Sequence, residues 1–123
     1  MASTIPFKLI TPTRVVFDGD AELVIAVTTE GEEGILPLHA PFLAALKPGV
    51  LRANVLKDGA SERLELATRE GFLQALPDRV TVLVDEALRF EDIDVAKTRE
   101  ELAAAVEPVA IEFANAKLRL TGH

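Results

Sequence analysis

A succession of short β-rich runs separated by turn chemistry occupies the chain from Ile5 to about Glu86: FKLI, RVVFDG, ELVIAVTT, GILPL, FLAAL, VLRANVLKDG, RLELATREG, FLQALPD and RVTVLVDE. Many short strands at this spacing bury their apolar faces by stacking two sheet layers or by closing a barrel, so a sandwich or barrel is expected. Asp58-Gly59 stands between two of these runs, and the central positions of a two-residue hairpin turn require residues that tolerate positive φ. This predicts a hairpin with strands over 50–56 and 62–69. In the second strand Leu64, Leu66 and Thr68 face one way and Glu65, Ala67 and Arg69 the other, the pattern of a strand with one wet face. DGDAE at 18–22 resembles the opening of a calcium loop but lacks the later glycine and the closing glutamate, and is read as a turn ahead of a strand.

After Asp85 the β-branched residues thin out, and Ala, Glu and Lys dominate through FEDIDVAKTREELAAAVEPVAIEFANAKLRLTGH, which is helical composition. Asp92 or Asp94 is placed to cap a first helix. Val95, Thr98, Leu102 and Val106 then form one apolar stripe, and Val109, Phe113, Ala116 and Leu120 form another after Pro108, a residue suited to a first helical position. The tight connection VEP predicts two helices, roughly 22 Å and 18 Å long at 1.5 Å per residue, zipped antiparallel along these stripes, with Ala103, Ala104 and Ala105 allowing close approach. The one compositional boundary lies near residues 86–91.

Composition narrows function. With 123 residues, 49% of them hydrophobic and 27% charged, the chain should fold as one compact domain with or without an appendage. It has no cysteine, which removes disulfides and thiolate metal sites and favours a reducing compartment. A formal charge of -7 without a Lys/Arg cluster argues against nucleic acid as a partner. The N-terminal MASTIPFKLITPTR reads as the start of a mature protein, and the longest uncharged run, from Gly34 to Leu46, is broken by Pro37 and Pro41, so a soluble protein is expected. There is no Gly-rich phosphate loop. The only serines are Ser3 and Ser61 and the only histidines His39 and His123, so no nucleophile has a positioned base, and neither catalysis nor a cofactor or metal is expected.

What stands out is EGEEGILPLHAPFLAALKPGVLR at 30–52, an acidic cluster followed by an apolar, proline-stiffened segment. Taken alone the acids read as a solvated turn, and His39 reads first as a packed or hydrogen-bonded loop residue and second as an interface contact, with no second metal ligand nearby. Irregular loops held on a rigid sandwich are common binding surfaces. Sugar binding is disfavoured because the chain has no Trp, no Tyr and only 6 Phe for ring stacking. On physical grounds alone the chain is a non-enzymatic β-sandwich with a helical hairpin and a candidate interface at 30–48. A free-standing adaptor that binds a peptide or protein there fits those grounds as well.

This segment closely resembles the signature of the epsilon subunit of F-type ATP synthases, E-G-x-x-G-(I/V)-x-P-G-H-A-P-(L/F)-x-(T/A)-x-(L/I)-K-P-G-x-(L/I). The similarity continues through VVFDG, REGFLQALPDRVTVLVDEA and EDIDVAKTREEL, covering essentially the whole chain. The resemblance implies a mainly β plus α fold, with a ten-stranded β-sandwich over 1–86 followed by an antiparallel two-helix hairpin over 87–123. It implies a non-catalytic rotor subunit of the central stalk, which binds the gamma subunit and the c ring and couples proton transport to ATP synthesis. The hairpin would touch the alpha and beta subunits transiently and inhibit ATP hydrolysis weakly. The implied location is the cytoplasmic face of the bacterial inner membrane, reached through the complex.

By the same resemblance Glu30, Glu32, Glu33, Leu38, His39, Ala40 and Pro41 face the c ring, whose loops in the family are basic, and Thr11 and Pro12 face gamma. Asp94, Lys97, Lys117 and Arg119 are the candidate nucleotide contacts. Several positions depart from the family pattern. Leu38 replaces the glycine between proline and histidine, and where that position needs positive φ, leucine costs on the order of 1 kcal/mol or more. Glu70 replaces the first glycine of G-G-F, which suggests a reshaped turn before Phe72. In the ATP-binding motif I/L-D-x-x-R-A, Lys97 stands in place of arginine and lacks its planar fork. The second helix is also short.

Overall fold

The structure is a computed structural model that describes residues 4–122. Ser3 and His123 lie outside this range. The described residues form nine strands: β1 (Ile5–Thr11), β2 (Arg14–Thr28), β3 (Gly31–Ile35), β4 (Phe42–Leu46), β5 (Gly49–Lys57), β6 (Ala60–Thr68), β7 (Gly71–Leu76), β8 (Arg79–Val84) and β9 (Ala87–Leu88). A single 3-10 turn, Phe90–Asp92, leads into α1 (Val95–Ala104) and α2 (Pro108–Leu120). The β-sandwich followed by two helices matches the expected fold class, with nine strands where ten were implied.

The long strand β2 lets one sheet wrap into two layers. Its first half pairs with β1, from Ile5↔Ala21 to Thr11↔Arg14, and its second half pairs with β3 and β5. Hydrogen bonding closes a circuit β1–β8–β7–β4–β2 and back to β1, with β5, β6 and β9 extending from β2. The sequence DGDAE lies inside β2, so the turn expected there is instead continuous strand; Asp18, Gly19 and Asp20 all pair with β1. Glycine suits that place because a Cβ on Gly19 would meet the Phe17 ring at 2.9 Å.

Inward-facing positions alternate with wet ones as the sequence dictates. Ile5, Phe7 and Leu9 of β1, Leu51, Ala53 and Val55 of β5, and Val80, Val82 and Val84 of β8 meet in one core. The β5–β6 hairpin turns at Asp58 (φ 53°) and Gly59 (φ 80°), as the Asp-Gly pair predicts. At the β6–β7 turn, Glu70 keeps a negative φ and its carboxylate accepts from Arg69 Nε at 2.9 Å, so the loss of the first glycine is absorbed locally. Gly71 is the constrained position: a Cβ there would stand 2.0 Å from the Leu83 carbonyl oxygen.

The second helix sits on the outer face of β5 and β6 with α1 packed against it, which corrects two expectations. Ala67, read as a wet position, is fully buried under Phe113 and Ala116. The α2 stripe of Phe113, Ala116 and Leu120 faces the sheet rather than α1, meeting Val50, Ala67 and Leu88. Asp94 caps α1 by accepting from Lys97 N at 3.0 Å, whereas Asp92 accepts from Arg89 N at the 3-10 turn. The first helix ends at Ala104, two residues early, so Val106 is 87% exposed, and Ala103 and Ala104 face solvent instead of lining the helix contact.

Candidate docking surfaces

The acidic cluster is divided by the pleat of a strand. Only Thr29 and Glu30 form the turn, which Thr28 closes by donating from its hydroxyl to the Gly31 carbonyl at 2.7 Å and accepting from Glu30 N at 3.1 Å. Gly31 follows at φ 118°, open only to glycine at low cost. Glu32 and Glu33 lie on β3, not in a turn, and therefore point to opposite faces. Glu32 pairs with Arg52 of β5 at 2.8 Å, whereas Glu33 stands 3.9 Å from His39 Nε2.

Beyond β3 the chain reverses through Leu36, Pro37, Leu38 and His39, with His39 N donating to the Leu36 carbonyl at 3.1 Å. Proline fixes the second turn residue, and the turn is of type II, which places its third residue at positive φ. That third residue is Leu38, at φ 65°, and its side chain is 81% exposed. Leucine is thus held in a glycine conformation without filling any pocket. His39 Nδ1–H donates to the Ala40 carbonyl at 2.9 Å and the ring lies 5.0 Å from Phe42, so this histidine is a packed and hydrogen-bonded loop residue, with Nε2 3.9 Å from the Glu33 carboxylate. Ala40 and Pro41 are exposed beside it. Of the expected ring-facing residues, the fold gathers Glu33, Leu38, His39, Ala40 and Pro41 at one loop, and turns Glu32 away from them.

A second surface crosses the outer face of β4, β7, β8, β1 and β2. Register partners join Ala45 to Phe72, Phe72 to Leu83, Leu83 to Ile10 and Ile10 to Val15, an apolar row that spans five strands. Phe72, Leu83 and Val15 are 58%, 46% and 55% exposed. A bulge opposite Leu9 and Ile10 produces this arrangement, turning Val15 outward while Val16 goes to the core. Pro12 lines an apolar groove of about 400 Å³ beside Phe72 and Leu83, and Thr11 sits at the same hairpin tip. Sequence reasoning had Thr11 and Pro12 but missed the row. Its signal was present in FLQAL and RVTVLV, where apolar residues occupy positions on both faces of a strand whose alternate face needed none.

The candidate nucleotide contacts are already engaged or dispersed. The Asp94 carboxylate serves as the α1 cap, and Lys97 is exposed. Lys117 is 7% exposed, with its ammonium 2.9 Å from Glu101 and 4.7 Å from the Phe113 ring centre. Arg119 lines a separate cavity with Arg52 and Glu32. Among the described residues no group of three or more His, Cys, Asp and Glu could hold a metal ion.

Residues 4–90, the whole sheet with its acidic edge and apolar row, match the family model described as ATP synthase, Delta/Epsilon chain, beta-sandwich domain. The chain belongs to this family. It is 41% identical over 98 residues to the ATP synthase epsilon chain of Chromobacterium violaceum, covering 80% of this chain and 69% of that one. With ATP synthase epsilon chain 1 of Methylococcus capsulatus it shares 39% identity over 125 residues, 98% of this chain and 87% of the relative. The fold is shared with a chain of the Tetrahymena thermophila mitochondrial ATP synthase central stalk and c ring, at TM-score 0.67 and 17% identity over 98% of this chain and 95% of the other. A chain of the Euglena gracilis mitochondrial enzyme gives TM-score 0.66 at 21% identity, covering 97% and 78%. Its sequence relatives are ATP synthase epsilon chains, and by them the chain is an epsilon-type member of the family. No helix among the described residues is long and apolar enough to cross a membrane.

Proposed function

We propose that this chain holds the gamma subunit with the apolar row on β4, β7, β8, β1 and β2, and meets the c ring with the β3 edge and the Leu36–Pro41 loop. The exposed row Ala45, Phe72, Leu83, Ile10 and Val15 carries this reading. An apolar strip of this length on a folded sheet is poorly matched to water and well matched to a protein partner. The tip residues Thr11 and Pro12 border it. The acids Glu30, Glu32 and Glu33 suit a basic ring surface, since complementary charge sets orientation and rate of encounter.

In this role the subunit transmits rotation between ring and shaft, and proton transport is coupled to ATP synthesis through it. The helical hairpin touches the alpha and beta subunits only transiently and inhibits hydrolysis weakly. The bacterial relatives support a place at the cytoplasmic face of the inner membrane, attached through the complex. The test is assembly with the Phe72→Asp variant. An aspartate at an already exposed position should leave the fold intact and abolish co-purification with gamma from membranes. Undiminished recovery of gamma with a folded Phe72→Asp subunit would refute the assignment.

A further inference from the structure

A cavity of about 380 Å³ lies under the end of α2, lined by Glu32, Arg52, Glu65, Val50, Arg119 and Leu120 among others. Its wall is made by four strands, β2, β3, β5 and β6, and one helix end. Arg52 stands directly across from Glu65 in the β5–β6 register and reaches Glu32 of β3 at 2.8 Å. Leu120 packs in the same cluster as Val50, Ala67 and Phe113, so the last turn of α2 is seated only when the helix is docked. Two guanidinium groups in this cavity are thus offset by two carboxylates. Of the Glu32–Arg52 pair, the acid side chain is the more accessible, 58% against 31% exposed.

We propose that Glu32 couples binding at the β3 edge to the seating of the helical hairpin. A basic protein loop that takes the Glu32 carboxylate leaves Arg52 and Arg119 lining one cavity with Glu65 as its remaining acid. Their repulsion then favours release of α2 from the sheet. Linkage makes the effect reciprocal: a released hairpin withdraws Arg119, leaves Glu65 to offset Arg52, and so strengthens binding of a cation at Glu32 by the same factor. The identity of the basic partner rests on the c-ring reading above, whereas the coupling within the chain does not.

The experiment is amide hydrogen exchange on the isolated full chain at low salt, for the wild type, Glu32→Gln, Arg119→Gln and the double variant. Glu32→Gln removes the charge that a bound cation would take while preserving size. It should speed exchange of α2 amides about two- to five-fold, the range expected for partly exposed charge pairs, with core amides of β1 and β8 unchanged as the internal control. Arg119→Gln should cancel most of that acceleration, and so should 1 M salt, which screens such pairs to about 3 Å. Identical α2 exchange in wild type and Glu32→Gln would overturn the proposal, as would an acceleration that persists in full in the double variant. Binding of the chain to a purified c ring is measured separately. Its absence would remove the c-ring reading and leave the exchange result to decide the coupling.

Discussion

Glu32 and Glu33 are neighbours in sequence whose carboxylates serve opposite faces of β3, Glu32 at 2.8 Å from Arg52 and Glu33 at 3.9 Å from His39. Charge reversal at the two positions should therefore have different consequences. Both acids are exposed on an edge strand, so both lysine variants should fold; Glu33→Lys should keep its unfolding free energy within about 0.5 kcal/mol of wild type, while Glu32→Lys, set beside Arg52, should lose about 1 kcal/mol. Glu32→Lys should weaken proton pumping by the assembled enzyme and loosen α2, whereas Glu33→Lys should weaken pumping and leave α2 exchange as in wild type. Full pumping by an enzyme carrying Glu32→Lys would remove Glu32 from the ring-facing surface.

Leu38 stands at φ 65° with its side chain in solvent, so the strain of a left-handed leucine is not repaid by burial. Leu38→Gly should relieve it. Net of the extra freedom glycine gives the unfolded chain, the variant should be stabilised by up to about 1 kcal/mol, seen as a higher urea midpoint at unchanged slope. A drop of that size would mean that Leu38 is held by contacts in the loop. Ring affinity is a separate readout, because the same leucine offers the most exposed apolar side chain of that loop.

Residues 4–90 carry the main core, whose cluster runs from Ile5 to Ala87, while the helices contribute only to a satellite of Ala67, Phe113 and Ala116 with its flanking residues. We propose that the sheet is an independent folding unit and the hairpin an attachment. A chain ending at residue 90 keeps β9 paired with β6 and should still unfold cooperatively and bind gamma. It should also expose Val50, Ala67 and Leu88, read as increased binding of a hydrophobic dye. Non-cooperative urea unfolding would show that α2 completes the core.

The groups from which a nucleotide site would be assembled are spent elsewhere: Asp94 on the α1 cap, Lys117 on Glu101 and Phe113. Lys97 supplies a point charge without a bidentate fork. Titration of the isolated chain with ATP should give no saturable binding below about 1 mM, an affinity of roughly 4 kcal/mol. Tighter binding that is lost in Lys97→Ala would refute this. Removal of residues 91–123 should change hydrolysis by the complex less than about two-fold, a barrier difference of under 0.5 kcal/mol.

Much of the architecture was written locally. The Asp58-Gly59 hairpin, the helical switch after Asp85, the Asp94 cap and the inward set Leu64, Leu66 and Thr68 follow from turn chemistry and side-chain period, which depend on residues close in sequence. The resemblance carried by residues 30–52 reached the family because a long motif preserves a loop shape. The positive φ at Leu38 is foreshadowed by the glycine of the family pattern at that position, and not by Pro37, which suits type I and type II turns alike.

Tertiary structure decided which faces are wet. Ala67 reads as exposed along its own strand and is buried because α2 lies over it; the α2 stripe that seemed made for α1 is taken by Val50, Ala67 and Leu88. The acidic cluster looked like one surface and became two, because β2 recruits Gly31–Ile35 into the sheet and the pleat then sends Glu32 and Glu33 apart. The row from Ala45 to Val15 is assembled from β4, β7, β8, β1 and β2, strands far apart in sequence, and depends on a bulge at Val16 that no local pattern announces. A period of two fixes which residues share a face. Only the pairing of distant strands and the docking of a helix fix what that face meets.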